Sequence, residues 1–213
     1  MVIPQSMRYA IKHKEESRNR ILEAAARQFR QYGSETVRVS DVMNAAGLTH
    51  GGFYKHFSDK NQLLHEAIAT ALANLSKEIS AMTQGKPRVA ALRQVINFYL
   101  SEDHLRHPDL GCALAAMGTE IARMPPAIKH EVSKALDAYA DRVSYLMPGR
   151  NKEEQRNAFL ILFPAMAGCI MTARSLTKKA EQRKLLALGR AYFTHSFCGQ
   201  TQLRYEEPFD ESN

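Results

Sequence analysis

The sequence predicts an all-α fold of about nine helices. Apolar residues recur three or four positions apart along most of the 213 residues, the spacing that places side chains on one face of a helix. No stretch shows the alternation of polar and apolar residues that is typical of a half-buried strand. Short segments rich in proline and glycine, such as residues 85–87 and 148–149, separate the periodic segments and are expected to end helices.

The first predicted helix begins at Ser17 and ends at Gly33. Serine is a favourable N-cap, and a glycine after the last periodic residue is typical of a helix C-terminus. Residues 1–16 are polar and basic without a clear period, so we expect a flexible arm there. The inner stripe of the helix is formed by Ile21, Leu22, Ala25, Ala26 and Phe29.

A short helix, a tight turn and a second short helix are predicted over residues 37–60. The apolar residues of the first lie three or four apart, and Gly47 ends it because glycine enters the left-handed conformation without penalty. Thr49 is expected to cap the second helix with its hydroxyl group. Phe53 and Phe57 are four residues apart and are expected to face inward together.

The outer face of this second short helix carries residues that a buried helix seldom has. Two adjacent glycines, Gly51 and Gly52, each weaken a helix interior by about 1 kcal/mol. They also let the backbone approach a phosphate or a base edge closely. Histidine, tyrosine and lysine side chains surround them. This layout is typical of a helix-turn-helix whose second helix enters a DNA groove; the alternative is a flexible loop between two core helices.

Two longer helices follow. The fourth predicted helix begins at Asp59, which forms an approximate capping box with Gln62, and it runs to about Met82. Its length and amphipathic pattern suit a helix that joins the helix-turn-helix to the rest of the chain. The fifth is expected over residues 88–102.

The segment after the fifth helix, residues 103–111, is expected to be an exposed polar loop. His104, His107 and Asp109 have the side chains of metal ligands, but no further acid or cysteine completes a convincing set. We therefore predict no metal site in this loop.

Four more helices complete the fold. The sixth is rich in small residues, the seventh starts with prolines in its tolerated first turn, and the eighth is the most apolar. Pro164 is expected to kink the eighth helix. The tail, residues 199–213, is polar and acidic and is expected to be flexible. The four helices are predicted over residues 112–123, 124–146, 152–176 and 178–197.

The charge distribution favours an anionic partner for the first part of the chain. The net charge is +7, and residues 1–60 carry 10 Lys/Arg against 6 Asp/Glu. This basic excess is denser than in the remaining residues and coincides with the predicted helix-turn-helix, as binding to backbone phosphates requires.

Cysteine usage and hydropathy indicate a cytoplasmic protein without a membrane segment. The three cysteines lie far apart and form no metal-ligand spacing, which suits a reducing cytosol. The start of the chain has no apolar core of a signal peptide. The longest apolar run, about 14 residues from Ala158, is shorter than the roughly 20 residues of a membrane helix and contains a proline.

Residues 17–66 resemble the N-terminal domain of the TetR family of bacterial transcriptional repressors. That domain has an Ile-x-x-Ala-Ala-x-x-x-Phe pattern in its first helix, a glycine ending the second, a Tyr-x-His-Phe run in the third and a lysine opening the fourth. Arg38 departs from the pattern, because serine or threonine is commoner at that helix cap. The matching residues are Ile21, Ala24, Ala25, Phe29, Gly47, Tyr54, His56, Phe57 and Lys60.

The resemblance implies a ligand-responsive repressor rather than an enzyme. It implies a DNA-binding helix-turn-helix domain over residues 17–60 and a ligand-binding and dimerisation domain over residues 61–198. A homodimer, formed through the last two helices, would place two recognition helices on a palindromic operator. The partners are double-stranded DNA, a small-molecule effector and a second copy of the chain, with no cofactor, metal ion or membrane.

The same resemblance and the exposed polar side chains together give the expected DNA contacts. Arg38, Tyr54 and Lys60 are assigned to phosphates, while His50 and Lys55 are assigned to base edges. The full set is Arg18, Arg38, Ser40, Thr49, His50, Gly51, Gly52, Tyr54, Lys55, His56 and Lys60.

A ligand pocket is expected among the fourth to eighth helices by the same analogy. Glu120 stands in an otherwise apolar helix, where it either meets a cationic or hydroxylated ligand or faces solvent. Cys112 follows a glycine at a helix start, where the helix dipole lowers a thiol pKa, so electrophile or redox sensing is an alternative to reversible binding of an apolar molecule. The expected lining is Phe98, Tyr99, Cys112, Met117, Glu120, Tyr139, Phe163, Met166 and Cys169.

Two functions outside regulation are also compatible with the pattern. An α-helical enzyme would use Cys112 with His104 or His107 as nucleophile and base, although no acid is placed to orient the base. A structural nucleic-acid-binding protein would retain DNA without regard to sequence. Turnover of a substrate would favour the first, and uniform DNA retention the second.

Overall fold

The structure, a computed structural model, describes residues 5–199, with the side chains at positions 9 and 12–199. Within this range the chain is all-α, as predicted, with nine α-helices and no β-strand. Two 3-10 helices, His50–Lys55 and Ser144–Leu146, are also present. We call the first of them the recognition helix. The α-helices are α1 (Gln5–Tyr32), α2 (Val39–Ala45), α3 (Lys60–Thr83), α4 (Arg88–Tyr99), α5 (Glu102–Arg106), α6 (Ala113–Arg123), α7 (Pro126–Val143), α8 (Lys152–Ser175) and α9 (Lys179–Cys198).

Helix α3 lies at the centre of the packing. It contacts α1 on the side of the helix-turn-helix and α7 on the other side, while α8 packs against α9. We call residues 17–60 the head and residues 61–198 the body. Their buried apolar side chains form one continuous cluster that runs from Ile21 to Cys198. The head therefore does not stand apart from the body; the two share a core.

Two polar contacts also join the head to the body. The buried guanidinium of Arg30, near the end of α1, donates from Nε to the carbonyl oxygen of Asp109 at 2.9 Å and also from Nη2. The backbone N–H of Ser34 donates to Oε1 of Glu120 at 2.9 Å, and its hydroxyl donates to the same atom. We call these four residues the clamp.

Helix α1 begins earlier than the sequence predicts. A helix start at Ser17 and a flexible arm before it are wrong for residues 5–16, which continue the helix. Lysine, glutamate and arginine favour a helix, and no glycine or proline interrupts them after Pro4. Ser17 is buried inside the helix instead of capping it. Residues 1–4 and the predicted flexible tail from residue 200 onward lie outside the described residues.

The segment predicted as a loop after the fifth helix is partly helical. Helix α4 ends at Tyr99, and α5 follows over Glu102–Arg106, with Ser101 as its N-cap. The hydroxyl oxygen of Ser101 accepts a hydrogen bond from the N–H of His104 at 3.1 Å. The Ser-Glu-Asp start supplies a cap and an acidic first turn, a helix signal that the neighbouring histidines and proline obscure.

Helix α8 continues through Pro164. It is also long and apolar enough to meet the length and composition of a membrane-crossing helix, a property that core helices of globular proteins share. Its buried side chains, which include Phe159, Phe163 and Ile170, belong to the common core. One face of the helix is therefore buried, as predicted, while Leu160 and Ile161 are exposed.

Candidate functional site

The turn between α2 and the recognition helix is built by Gly47. Its φ of +68° lies in the left-handed region, which an L-side chain adopts only with strain. The chain reverses there, and the N–H of Leu48 donates to the carbonyl oxygen of Met43 at 2.9 Å, closing the end of α2. The glycine stop was predicted, and the structure confirms it.

Two aromatic side chains hold the recognition helix against the head. Phe53 and Phe57 are 1% and 2% exposed, and their stacked rings lie 5.7 Å apart between centroids. Since both face inward as predicted, the opposite face of the helix is turned to solvent. That exposed face is formed by His50, Gly51, Tyr54 and Lys55.

The caps around this motif differ from the prediction. The hydroxyl group of Thr49 makes no capping hydrogen bond; the carbonyl oxygen of Thr49 accepts from the N–H of Gly52 at 3.0 Å instead. A six-residue 3-10 helix closes its first turn with such backbone bonds. Arg38 is the N-cap of α2, and its N–H donates to the carboxylate of Asp41 at 3.0 Å. Its exposed guanidinium stays outside the cap; partly buried Ser40 follows in the first turn.

The start of α3 agrees with the expected capping box in one of its two bonds. The carboxylate of Asp59 accepts from the N–H of Gln62 at 2.8 Å, as predicted. The side-chain oxygen of Gln62 accepts from the N–H of Ser58, at 2.7 Å, rather than from that of Asp59. This cap fixes the helix start and places partly exposed Lys60 directly after the motif.

Arg18 is partly buried, and its charge is paired within the protein. Its guanidinium lies 2.6 Å from the carboxylate of Glu66 on α3 and 4.6 Å from the centroid of the Phe57 ring. These contacts tie α1 to α3 and support Phe57, the buried aromatic residue just after the recognition helix. The phosphate contact expected of Arg18 stays a prediction, and it requires this ion pair to open.

His56 lies at the inner edge of the recognition helix. Its Nδ1 atom is buried and has no hydrogen-bond partner among the described residues. Burial lowers the pKa of His56, and the nearby charges of Lys14, Arg18 and Lys55 lower it further. The imidazole is therefore neutral near pH 7, so its contribution to a DNA contact is a hydrogen bond rather than a charge.

The residues expected to line a ligand pocket separate into groups. Tyr99, Tyr139 and Phe163 come together: the Phe163 ring centroid is 5.5 Å from that of Tyr99 and 4.9 Å from that of Tyr139. The hydroxyl groups of both tyrosines are buried without a hydrogen-bond partner among the described residues. Met117 instead faces α1 and α3 across a narrow void. Met166 is buried in the common core, whereas Phe98 and Cys169 are partly exposed.

Cys112 does not have the lowered pKa that its position at the start of α6 predicts. Its thiol is 1% exposed, and burial raises its pKa. The backbone N–H groups of Leu114 and Ala115 do act in the expected direction, but their effect is smaller than that of burial. A thiol that stays protonated is a poor nucleophile, which disfavours electrophile sensing at this residue.

His104 is a structural residue and is not available as a metal ligand or catalytic base. Its Nδ1–H donates to the carbonyl oxygen of Tyr99 at 2.6 Å, and its Nε2 accepts from the N–H of Cys112 at 3.0 Å. Burial lowers the pKa of His104 to about 4. Both ring nitrogens are therefore engaged in hydrogen bonds. His104 is thus not free to act as a metal ligand or as a catalytic base.

Glu120 neither lines an apolar pocket nor faces open solvent. As part of the clamp it binds Ser34 of the head, at one wall of a cleft of about 550 Å³ between head and body. Lys60 and Arg123 also line this cleft. Glu120 thus lies at a cleft rather than in the apolar core, and Ser34, 86 residues away in sequence, binds its carboxylate. Its assignment to a ligand stays a prediction.

Two important polar residues were not predicted from the sequence. Arg30 is one, and a signal for it exists: it follows Ala26 by four residues on the inner stripe, where a charge requires a partner. Arg174 is another, since its guanidinium donates to the carbonyl oxygens of His104, Leu105 and Ala115 and so fixes α5 and α6 to α8. No local pattern predicts that second role.

Comparison with known proteins identifies the first part of the chain. Residues 21–67 match the family model for bacterial regulatory proteins of the tetR family. The chain is similar to the HTH-type transcriptional regulator AcrR of Shigella flexneri, with 33% identity over 85 residues, which are 38% of this chain and 39% of AcrR. The similarity thus spans about two fifths of that relative's length.

Solved structures extend the likeness to the whole fold. A TetR transcriptional regulator from Chloroflexus aurantiacus J-10-FL superposes with a TM-score of 0.66 at 23% identity, over 87% of this chain and 98% of that one. A transcriptional regulator from Saccharomonospora viridis, in complex with choline, has a TM-score of 0.65 at 17% identity, over 86% and 98%. At such identities the likeness establishes the fold.

These relatives are regulators, which agrees with the expectation that the protein is not an enzyme. The family match covers the helix-turn-helix and the start of α3, where Gly47, Phe53 and Phe57 build the motif. The fold likeness covers the body as well. Residues 21–67 therefore form a DNA-binding segment of the tetR type of bacterial regulatory proteins, within a chain that has the fold of solved TetR regulators.

Proposed function

We propose that the protein is a cytoplasmic, sequence-specific DNA-binding repressor that acts as a homodimer on a palindromic operator and is released by a small apolar ligand. The observation that carries the proposal is the exposed face of the recognition helix. A side-chain-free tip at Gly51 lies beside the imidazole, phenol and ammonium groups of His50, Tyr54 and Lys55, with two buried aromatic rings behind it. Such a face supports close approach to a groove with polar groups that read bases and phosphates.

The proposal is tested by selection of operator sequences. The purified protein is mixed with a pool of randomised duplex DNA, and the bound fraction is amplified and sequenced. A sequence-specific dimer enriches an inverted repeat whose half-sites are centred about one helical turn, roughly 34 Å, apart. Enrichment of no motif, with equal retention of all duplexes, would instead identify a structural nucleic-acid-binding protein.

Exposed apolar residues support the dimer. Leu160 and Ile161 on α8 are 51% and 57% exposed, and Leu188 and Tyr192 on α9 are 59% and 68% exposed. Helices α8 and α9 pack against each other, so these side chains extend an apolar surface over two neighbouring elements. A surface of this kind is typical of an interface with a second copy of the chain.

The unpartnered tyrosine hydroxyls support a ligand in the body. A buried hydroxyl without a hydrogen bond costs roughly 1–3 kcal/mol, so a polar acceptor that reached the hydroxyl group of Tyr99 or Tyr139 would stabilise the body. The surrounding aromatic rings would accommodate the apolar part of such a molecule. A solved structure of the same fold is a complex with choline, which supports a small-molecule site in this protein as well.

The ligand proposal is tested by conservative variants in a thermal-shift assay. In the free protein, Tyr99→Phe and Tyr139→Phe should raise Tm, because each removes an unsatisfied hydroxyl without changing the packing. Against a panel of small apolar molecules with one carbonyl or carboxylate, the wild type should gain stability and both variants should gain less. Tyr145→Phe, at a half-exposed position, is the control. Equal gains for all four proteins would contradict this site.

A further inference from the structure

Helix α1 extends beyond the part that packs in the head. Residues 5–16 add three helical turns, about 18 Å, before Ser17, the first buried residue among the described side chains. The described side chains of this extension are exposed. Burial of the described side chains therefore does not explain why the helix continues there.

The extension forms one wall of a groove beside the recognition helix. We call it the α1 groove; its volume is about 590 Å³. Three residues of α1 face six residues of the helix-turn-helix across it, and none of the nine is acidic. The lining residues are His13, Lys14, Ser17, Met43, Leu48, Thr49, Gly52, Lys55 and His56.

Positive charge in the α1 groove is not neutralised within the described residues. Arg18, which lies nearby, is paired with Glu66, but Lys14 and Lys55 form no ion pair there. Both lysines line the groove, and both lie near enough to the imidazole of His56 to lower its pKa. Two free ammonium groups with no acid between them create a local positive potential that attracts an anion.

The position of the α1 groove points to one anion. It opens beside the recognition helix, whose exposed face includes Lys55, so DNA in contact with that face brings its backbone to the groove. We propose that the α1 groove binds a backbone phosphate of the operator, held by Lys14 from α1 and Lys55 from the recognition helix. The inference rests on the proposed DNA binding and adds to it a contact made by an element outside the helix-turn-helix.

The helix itself supplies a matched control. Lys12 is two residues from Lys14. Because each residue of a helix is rotated by about 100°, the two side chains lie on nearly opposite faces of α1. Lys12 does not line the groove and lies 3.9 Å from Glu16, with its side chain 78% exposed. The two lysines therefore have the same charge, on the same element, but only one faces the proposed phosphate.

The test measures the affinity of the full-length protein for its selected operator as a function of salt concentration. Each phosphate contact contributes about 0.9 to the slope of log K against log salt. Lys14→Ala should lower the slope by about 0.9 for each subunit and weaken binding about eightfold per subunit at 0.1 M salt. Lys12→Ala should leave both unchanged. Ethylation interference should then show one phosphate per half-site whose ethylation prevents binding of the wild type but not of Lys14→Ala.

The outcomes separate the inference from the proposed function. Wild-type slope and affinity for Lys14→Ala would overturn the inference while specific binding by the wild type stands. Equal losses for Lys12→Ala and Lys14→Ala would also overturn it, since general charge rather than the groove would then be responsible. If the wild type selects no operator, the proposed function fails, and the inference fails with it.

Discussion

His104 shows how one buried side chain organises a junction between helices. It accepts from the N–H of Cys112 only while it is neutral, and its pKa is about 4 in the folded protein against an ordinary value of 6.5. Because the folded pKa is the lower one, the neutral form contributes its full stability above pH 6.5, and the contribution is lost as the pH falls toward 4.

We therefore expect the free energy of unfolding to fall by about 2 kcal/mol between pH 7 and pH 5 on account of His104 alone. Urea denaturation at both pH values measures it. His104→Gln, whose amide oxygen also accepts a hydrogen bond, should lose this part of the pH dependence, whereas His107→Gln at an exposed position should keep it. A pH dependence that is the same in both variants would contradict the role of His104.

The burial of Cys112 gives a second prediction at this scale. With the thiol buried and its pKa raised, Cys112 should react with Ellman's reagent only after unfolding. Cys112→Ser should therefore leave the fast-reacting thiols of the native protein unchanged and should still release DNA in response to an inducer. If this variant had one fewer thiol that reacts rapidly with Ellman's reagent, Cys112 would again be a candidate sensor.

Lys60 and His50 illustrate the two kinds of contact expected at the DNA interface. Lys60→Ala should weaken binding to all sequences alike and lower the salt slope by about one per subunit, because a phosphate contact carries no sequence information. His50→Ala should change base preference with little effect on the slope. Competition binding with operator variants at several salt concentrations distinguishes them. A change of base preference in Lys60→Ala would reverse the assignment.

At the scale of elements, the junction between α5 and α6 depends on a glycine. A Cβ atom at Gly111 would lie 2.2 Å from Cδ2 and 2.3 Å from Nε2 of His104. That ring is fixed by two hydrogen bonds and cannot move aside. Gly111→Ala should therefore destabilise the protein by roughly 2 kcal/mol, as overpacking does.

The control lies on α6 itself. A Cβ at Gly118 meets no atom within 4 Å, so Gly118→Ala should stabilise the helix by up to about 1 kcal/mol. Thermal denaturation of both variants measures the contrast. A stability for Gly111→Ala equal to that of the wild type would show that α5 and α6 rearrange freely, against the rigid junction described here.

Features that depend on residues close together in the sequence were predicted correctly. The stop at Gly47 and the inward pair Phe53 and Phe57 follow from local conformation and helical spacing, and both are present. The start of α1 was misjudged because Ser17 has the residue type of a cap, although tertiary packing buries it within a longer helix. Local signals at Cys112 were also correct in direction, but burial, which only the fold determines, outweighs them.

At the scale of the whole molecule, the exposed faces of α8 and α9 predict the state of association. Sedimentation velocity at micromolar concentration should show a dimer for the wild type and a monomer for Ile161→Asp and Leu188→Asp, because a buried carboxylate opposes an apolar interface. Val89→Asp, at a half-exposed apolar position on α4, should remain a dimer. A monomeric wild type would contradict the proposed interface.

The clamp has a consequence for genetics. Since Glu120 and the carbonyl oxygen of Asp109 hold the head by Ser34 and Arg30, substitutions in the body reach the DNA-binding surface without touching DNA. A screen for strains that have lost control of the regulated gene should recover changes at position 120 alongside changes in the recognition helix. Second-site revertants of Glu120 variants should then cluster at the end of α1, and the pairs of positions would locate the clamp by genetics alone.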